Sequence, residues 1–128
     1  MRLLLDTHAL IWWLAGDPSL SANAKAAVLD PGNEIFVSAA SAWEIATKFR
    51  IGKLPHAGAL VGNVGGVLTS QGFLELPITV RDAEAAGSLP GLHRDPFDRM
   101  LIAQATLANL VLVSNEAVFN RYGIRRLW

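Results

Sequence analysis

What most narrows the fold of this chain is an alternation of short aliphatic runs with longer segments of helical character. Arg2–Leu5, Glu34–Ser38, Phe73–Leu76 and Leu110–Val113 have strand length, and Ile124–Trp128 is a fifth candidate. Apolar runs without polar alternation suit strands covered on both faces, as in a parallel sheet between helices. The intervening segments supply the helices. Thr7–Ala15 stops at Gly16-Asp17-Pro18, and Ser19 or Ser21 caps a second helix reaching about Leu29. Ser41 is expected to open a third, with Ala42, Ile45, Ala46 and Phe49 along it, ending near Gly52. Ala57–Gln71 reads as a further helix, weakened by Gly62, Gly65 and Gly66 at about 1 kcal/mol for each glycine in a helix interior. Thr79 caps a short helix through about Ala86, followed by a loop, SLPGLHRD. Pro96–Ala108 is a strong helix, with Phe97, Met100, Leu101, Gln104 and Leu107 at helical spacing. Strands alternating with helices predict an α/β sandwich around a mainly parallel sheet of about five strands.

Composition supports one domain over residues 1–128. With 52% hydrophobic and 17% charged residues, the chain is too apolar for disorder and can bury roughly two-thirds of its unfolded surface. It has no cysteine, hence neither a disulfide framework nor a thiolate zinc site. The opening MRLLLDTHALIWWLAG is interrupted by Asp6 and His8 and closed by Asp17-Pro18, too soon to cross a bilayer; the chain reads as a soluble cytoplasmic protein with no membrane role. Eleven basic residues balance eleven acidic ones, which counts against a broad nucleic-acid footprint. Local cation patches remain at Lys48, Arg50 and Lys53, and at Arg121, Arg125 and Arg126. The apolar surplus points to surface covered by a partner or a second copy.

The acids are more informative. In open parallel sheets, ligands bind outside the carboxyl ends of the strands. Asp6 ends the first strand, Ser114, Asn115 and Glu116 follow the fourth, Asp95 and Asp98 begin the helix leading into it, and Glu44 lies on the helix after the second. Crossover helices of about three turns return the chain to the same edge, so these acids should share one rim. Each also has a simpler use. Asp6 and Asp95 suit helix N-caps, with Pro96 at the first helical position and Asp98 favoured by the helix dipole. Glu44 precedes Lys48 by four residues, the spacing of a surface ion pair. Their convergence is what points to chemistry. Gathered carboxylates raise one another's pKa unless a cation compensates, and all-oxygen ligation suits Mg²⁺ or Mn²⁺ rather than zinc. Such ions polarise phosphates and activate water. His8 and His93, each two residues from an acid, can line the same rim, and His56 lies apart from it. Trp12 and Trp13 read as core and interface rather than base-stacking platforms.

The segments LLLDTHALIWWL, SAASAWEIATKFRIGKL, HRDPFDRMLIAQA and LVLVSNEAVFNRYGIRRLW resemble, in order and over nearly the whole chain, the blocks of VapC-type PIN-domain ribonucleases, the toxins of type II toxin–antitoxin pairs. The resemblance implies a three-layer α/β/α sandwich, an acidic pocket for Mg²⁺ or Mn²⁺, and endonucleolytic hydrolysis of RNA to 5′-phosphate and 3′-hydroxyl ends. Carried over by position, Asp6, Glu44 and Asp98 are the metal ligands, Asp95 completes the pocket, and Thr7 and Ser114 are supporting hydroxyls. It further implies a homodimer inhibited by a cognate antitoxin, with DNA reached only through that antitoxin. Ile11, Trp12, Leu14 and Leu20 are candidate contacts for the antitoxin segment, with Ile11 and Leu14 suiting the core better.

One departure stands out. The fourth acid in many members is an aspartate in a Thr-x-Asp arrangement, whereas this chain reads Ser114-Asn115-Glu116. Glu116, longer by one methylene, would bind an ion through water or not at all. This leaves a second reading: a catalytically inactive PIN-like module that binds RNA or protein. The joint presence of Asp6, Glu44 and Asp98 argues against it. A receiver domain would need an acidic neighbour for Asp6 and a lysine after the fifth strand, and a haloacid-dehalogenase-type phosphatase would need an aspartate where His8 stands.

Overall fold

Leu3, Leu4 and Leu5 have no solvent exposure at all, which places their strand at the centre of the molecule. A strand sends successive side chains to opposite faces. In the computed structural model, which describes residues 1–91 and 93–128, Leu3 and Leu5 accordingly join one core and Leu4 the other. The strands are β1 (Arg2–Leu5), β2 (Glu34–Ser38), β3 (Leu74–Leu76), β4 (Val111–Val113) and β5 (Arg126–Leu127). The helices are α1 (Thr7–Ala15), α2 (Ala22–Leu29), α3 (Ala39–Arg50), α4 (Val64–Gln71), α5 (Val80–Ser88) and α6 (Pro96–Leu107). Short 3₁₀ segments span Pro55–Ala59 and Ala117–Tyr122.

All pairings are parallel, in the order β3-β2-β1-β4-β5. The chain steps outward from β1 to β3, then crosses back to β4 and β5, so the strand order reverses between β1 and β4. One face of the sheet packs on Ala9 and Leu10 of α1, Ala24 and Val28 of α2, Ile45 of α3 and Leu68 of α4. The other packs on Leu101, Ile102 and Ala105 of α6 and on Phe119. The fold is thus the three-layer α/β sandwich. Helix α3 touches both α1 and α6, which makes it the bridge between the layers.

Several boundaries differ from the sequence expectation. Ser38 is both the last residue of β2 and the N-cap of α3, its Oγ accepting from the Ala40 N–H at 3.0 Å. With no loop between strand and helix, Ser41 lies inside the first turn instead of opening it. The segment expected as one helix from Ala57 to Gln71 is split, because Gly62 takes φ +78°, a left-handed conformation that interrupts a right-handed helix. Gly65 and Gly66 are tolerated inside α4. Helix α5 runs to Ser88, two residues past the expected end, from the Thr79–Asp82 capping box. Leu92, in the expected loop, lies outside the described residues. Among those described, no helix is long and apolar enough to cross a membrane.

Candidate active site

Asp6 and Ser114 stand side by side where β1 and β4 end. Leu5 is in register with Val113, and the Asp6 N–H donates to the Val113 carbonyl at 3.1 Å. This is the topological switch point, where an open parallel sheet leaves a crevice. Asp6 is buried and caps α1, its Oδ1 accepting from the Ala9 N–H at 2.8 Å. Capping and membership of the site are therefore not alternatives. Burial pushes its carboxyl above the ordinary range; the Ser114 hydroxyl, the Ala9 amide and His8 pull the other way, and Glu116 adds to the rise.

Glu44 projects from α3 toward the start of α1 and is only 3% exposed. The Thr7 hydroxyl donates to its Oε1 and lies 3.0 Å from Ser41 Oγ. The Lys48 ammonium pairs with its other oxygen. The four-residue spacing therefore forms its ion pair, with a buried Glu44 and a half-buried Lys48. Burial works against the Lys48 charge, yet Glu44 first, then Asp95 and Asp98, hold its pKa above the usual lysine value.

Asp95 caps α6, its Oδ1 accepting from the Phe97 N–H at 2.9 Å and the Asp98 N–H at 3.2 Å, with Pro96 in the first turn. Asp98 Oδ2 lies 2.9 Å from His93 Nε2. Desolvation, then the neighbouring Asp95, raise the Asp98 carboxyl to about 7; Glu116 and Glu44 contribute in the same direction and His93 partly offsets them. Glu116 immediately precedes the last 3₁₀ segment, and its backbone N–H donates to Ser114 Oγ at 3.0 Å.

The acids predicted from the sequence thus act on one another across the rim. They do not form a closed ligand cage: among the described residues, no three acids or histidines converge closely enough to hold an ion as they stand. The reason is visible in their partners. Asp6 is engaged by the α1 amide, Glu44 by Thr7 and Lys48, and Asp98 by His93. The donor chemistry fits a hard divalent cation nonetheless. It is all oxygen, and Asp98, raised to about 7 by burial first and by Asp95 second, is a group whose ionisation a nearby cation would favour.

A family model described as "PIN domain" matches residues 3–125. The chain belongs to the PIN domain family. Ribonuclease VapC16 of Mycobacterium tuberculosis is 55% identical over 42 residues, a match spanning 30% of this chain and 30% of that protein. VapBC2 from Rickettsia felis, bound to a DNA fragment from its promoter, superposes with a TM-score of 0.71 at 17% identity, covering 98% of this chain and 97% of that one. DNA-bound VapBC from Salmonella typhimurium gives 0.67 at 21% identity, with coverage of 98% and 96%. A toxin–antitoxin complex from Klebsiella pneumoniae gives 0.57 at 22%, with 89% and 86%. At these identities the structural likeness is one of fold.

In this PIN domain several supports escape a reading of the sequence. Arg99 donates from Nε to the Ala86 carbonyl at 3.1 Å, from Nη1 to the His93 carbonyl at 2.9 Å, and from Nη2 to the Leu89 carbonyl. It thereby ties the end of α5 to the residue that meets Asp98. A lysine ammonium lacks the planar fork that reaches all three carbonyls. Arg99→Lys is expected to cost about 1.5–3 kcal/mol and to speed tryptic cleavage after Arg94, as measured by limited digestion. Cleavage at the wild-type rate would show that Arg99 does not hold the segment.

Other expectations are sorted by burial. Leu20 is core rather than contact surface, being only 8% exposed. Ile11, Trp12 and Leu14 pack against the first core and also line an open groove of about 670 Å³ with Leu60 and Val67. Trp13 donates to Gln71, and Trp12 packs between His8 and Trp128, so both act in packing as expected. Arg126 is not a solvated charge, since its Nη1 donates to the Ser114 carbonyl at 2.9 Å.

Proposed function

We propose that this PIN domain is a VapC-type toxin: an endoribonuclease that hydrolyses RNA phosphodiester bonds with Mg²⁺ or Mn²⁺ and is restrained by a cognate antitoxin. The observation that carries this reading is the gathering of Asp6, Glu44, Glu116 and the α6 pair Asp95 and Asp98, from four places in the chain, about the rim where the strand order reverses. Asp6, Glu44 and Asp98 would hold the ion. When bound, it polarises the phosphate and makes water a better nucleophile. The remaining work falls to the chain's own groups. Thr7 fixes the Glu44 carboxylate, Ser114 eases the ionisation of Asp6, and Asp95 anchors the first turn of α6 from which Asp98 projects. Lys48 offsets part of the negative charge that would otherwise repel a polyanion.

The relatives support an antitoxin partner. The matched structures include a toxin–antitoxin complex and VapBC assemblies on DNA. We infer that this chain forms a homodimer in the cytoplasm, binds an antitoxin segment along the groove lined by Ile11, Trp12 and Leu14, and reaches DNA only through that partner.

The test is cleavage of total RNA by the purified protein in Mn²⁺ or in EDTA, beside Asp6→Asn. Cutting that needs the metal and is lost in the variant is the expected result. RNA bound but left intact by the wild type under every metal condition would favour the non-cutting module that Glu116, in place of an aspartate, leaves open.

A further inference from the structure

Trp43 is a large aromatic side chain that the fold leaves 58% exposed. It sits beside the acids. Its α3 neighbour is the buried Glu44, and its ring packs against Phe97, the residue before Asp98, with centroids 4.8 Å apart and planes at 77°. One contact therefore fixes the indole at the lip of the site, between α3 and α6, while most of it faces solvent. A large aromatic ring that is fixed in place beside reactive groups, yet mostly in solvent, offers a π-face to an occupant.

The surroundings say which occupant. Helical periodicity places Thr47 and Arg50 on the same face as Trp43, with Arg50 about 10 Å further along the axis. Arg50 is exposed and, among the described residues, pairs with no carboxylate; Lys53 follows just beyond the helix and is likewise exposed and unpaired. An aromatic ring followed by free cations matches a single strand of nucleic acid, whose bases stack and whose phosphates need positive charge. A duplex keeps its bases stacked on one another and offers none to the ring.

We infer that Trp43 is a stacking platform for an unpaired base flanking the cleavage site, with Arg50 and Lys53 receiving the backbone phosphates beyond it. The inference rests on the nuclease reading above and deepens it by naming the residues outside the acidic cluster that position the strand.

The test is binding of a fluorescein-labelled, mixed-sequence 12-nucleotide RNA in Mn²⁺, followed by anisotropy, with every protein carrying Asp98→Asn to keep the probe intact. Relative to this parent, Trp43→Ala and Trp43→Leu are expected to weaken binding by about 5- to 150-fold. Trp43→Phe keeps an aromatic face and should retain most of the affinity. Arg50→Ala should weaken binding and flatten its salt dependence by about one counterion. The duplex form of the probe should bind less tightly than the single strand. Sedimentation of the same proteins should show one unchanged oligomeric state.

Parent binding that survives Trp43→Ala unchanged overturns the inference alone. So does a Trp43→Ala protein that changes oligomeric state while Trp43→Leu restores both state and affinity, since an apolar protein contact needs no π-face. A parent that binds no RNA, single- or double-stranded, overturns this inference, whereas the nuclease reading is decided separately by wild-type cleavage in Mn²⁺ or EDTA.

Discussion

Asp98→Asn is expected to abolish RNA cleavage and yet, in metal-free protein, to raise the melting temperature at about pH 8. The second half follows from the folded-state carboxyl lying near 7 against 3.8 for the free side chain. Between those values the unfolded chain has released the proton and the folded chain still holds it. The unfolded state therefore binds fewer protons, so stability falls as pH rises from about 4 to about 7 and does not return above it. Asp6, raised in the same direction by burial, steepens the fall. Asparagine keeps the size of the side chain and removes the charge. Thermal melts in EDTA at about pH 5 and about pH 8 should show a loss for the wild type and a smaller one for the variant. Mn²⁺ at the higher pH should restore the wild type and leave the variant nearly unmoved. A wild-type melting point that is flat across this range would mean that Lys48 and His93 already balance the acids, and would remove the electrostatic case for a cation.

That residue also shows how far the sequence could be read. Asp6 and Asp95 were legible both as caps and as rim acids, and Asp98 as a first-turn acid on the same rim, because these roles depend on where a strand ends or a helix begins. Local signals mark those points: an aliphatic run stopped by aspartate, and Asp-Pro ahead of a helical stripe. The spacing of Glu44 and Lys48 was equally plain, but the burial of Glu44 was not. It depends on α3 lying between α1 and α6, which are far apart in the chain. The same holds for Trp43, whose exposure is decided by which face of α3 is covered. The split between Pro55–Ala59 and α4 was half legible. Three glycines signalled a weak helix, and only the backbone shows that Gly62 is the one that breaks it. Arg99 gave no signal at all, since the carbonyls it gathers come from loop and helix-end geometry that no pattern of side chains encodes.

Gln104→Leu is expected to be the most destabilising of these substitutions, although it puts an apolar residue into an apolar stripe. Gln104 lies among Leu101, Ile102 and Ala105 with 1% exposure. A polar residue at such a position is tolerated only when its amide is fully engaged. Here its Oε1 accepts from the Ser38 hydroxyl at 2.5 Å, and its Nε2 donates to the Pro77 carbonyl at 3.1 Å and to Asp82 Oδ2 at 3.3 Å. One side chain thus joins the cap of α3, the chain just after β3 and the capping box of α5. Leucine fills similar space but leaves the buried Ser38 hydroxyl without its acceptor. The expected cost is about 2–4 kcal/mol, or roughly 10 °C in melting temperature. Because Ser38 caps the helix that carries Glu44, cleavage should fall as well. A cycle with Ser38→Ala separates a network from simple misfit. If the hydroxyl and the amide act as a pair, the double variant should be less destabilised than the sum of the singles by about 1 kcal/mol or more. Additive losses would mean that leucine fits the core poorly and that the polar bridge contributes little.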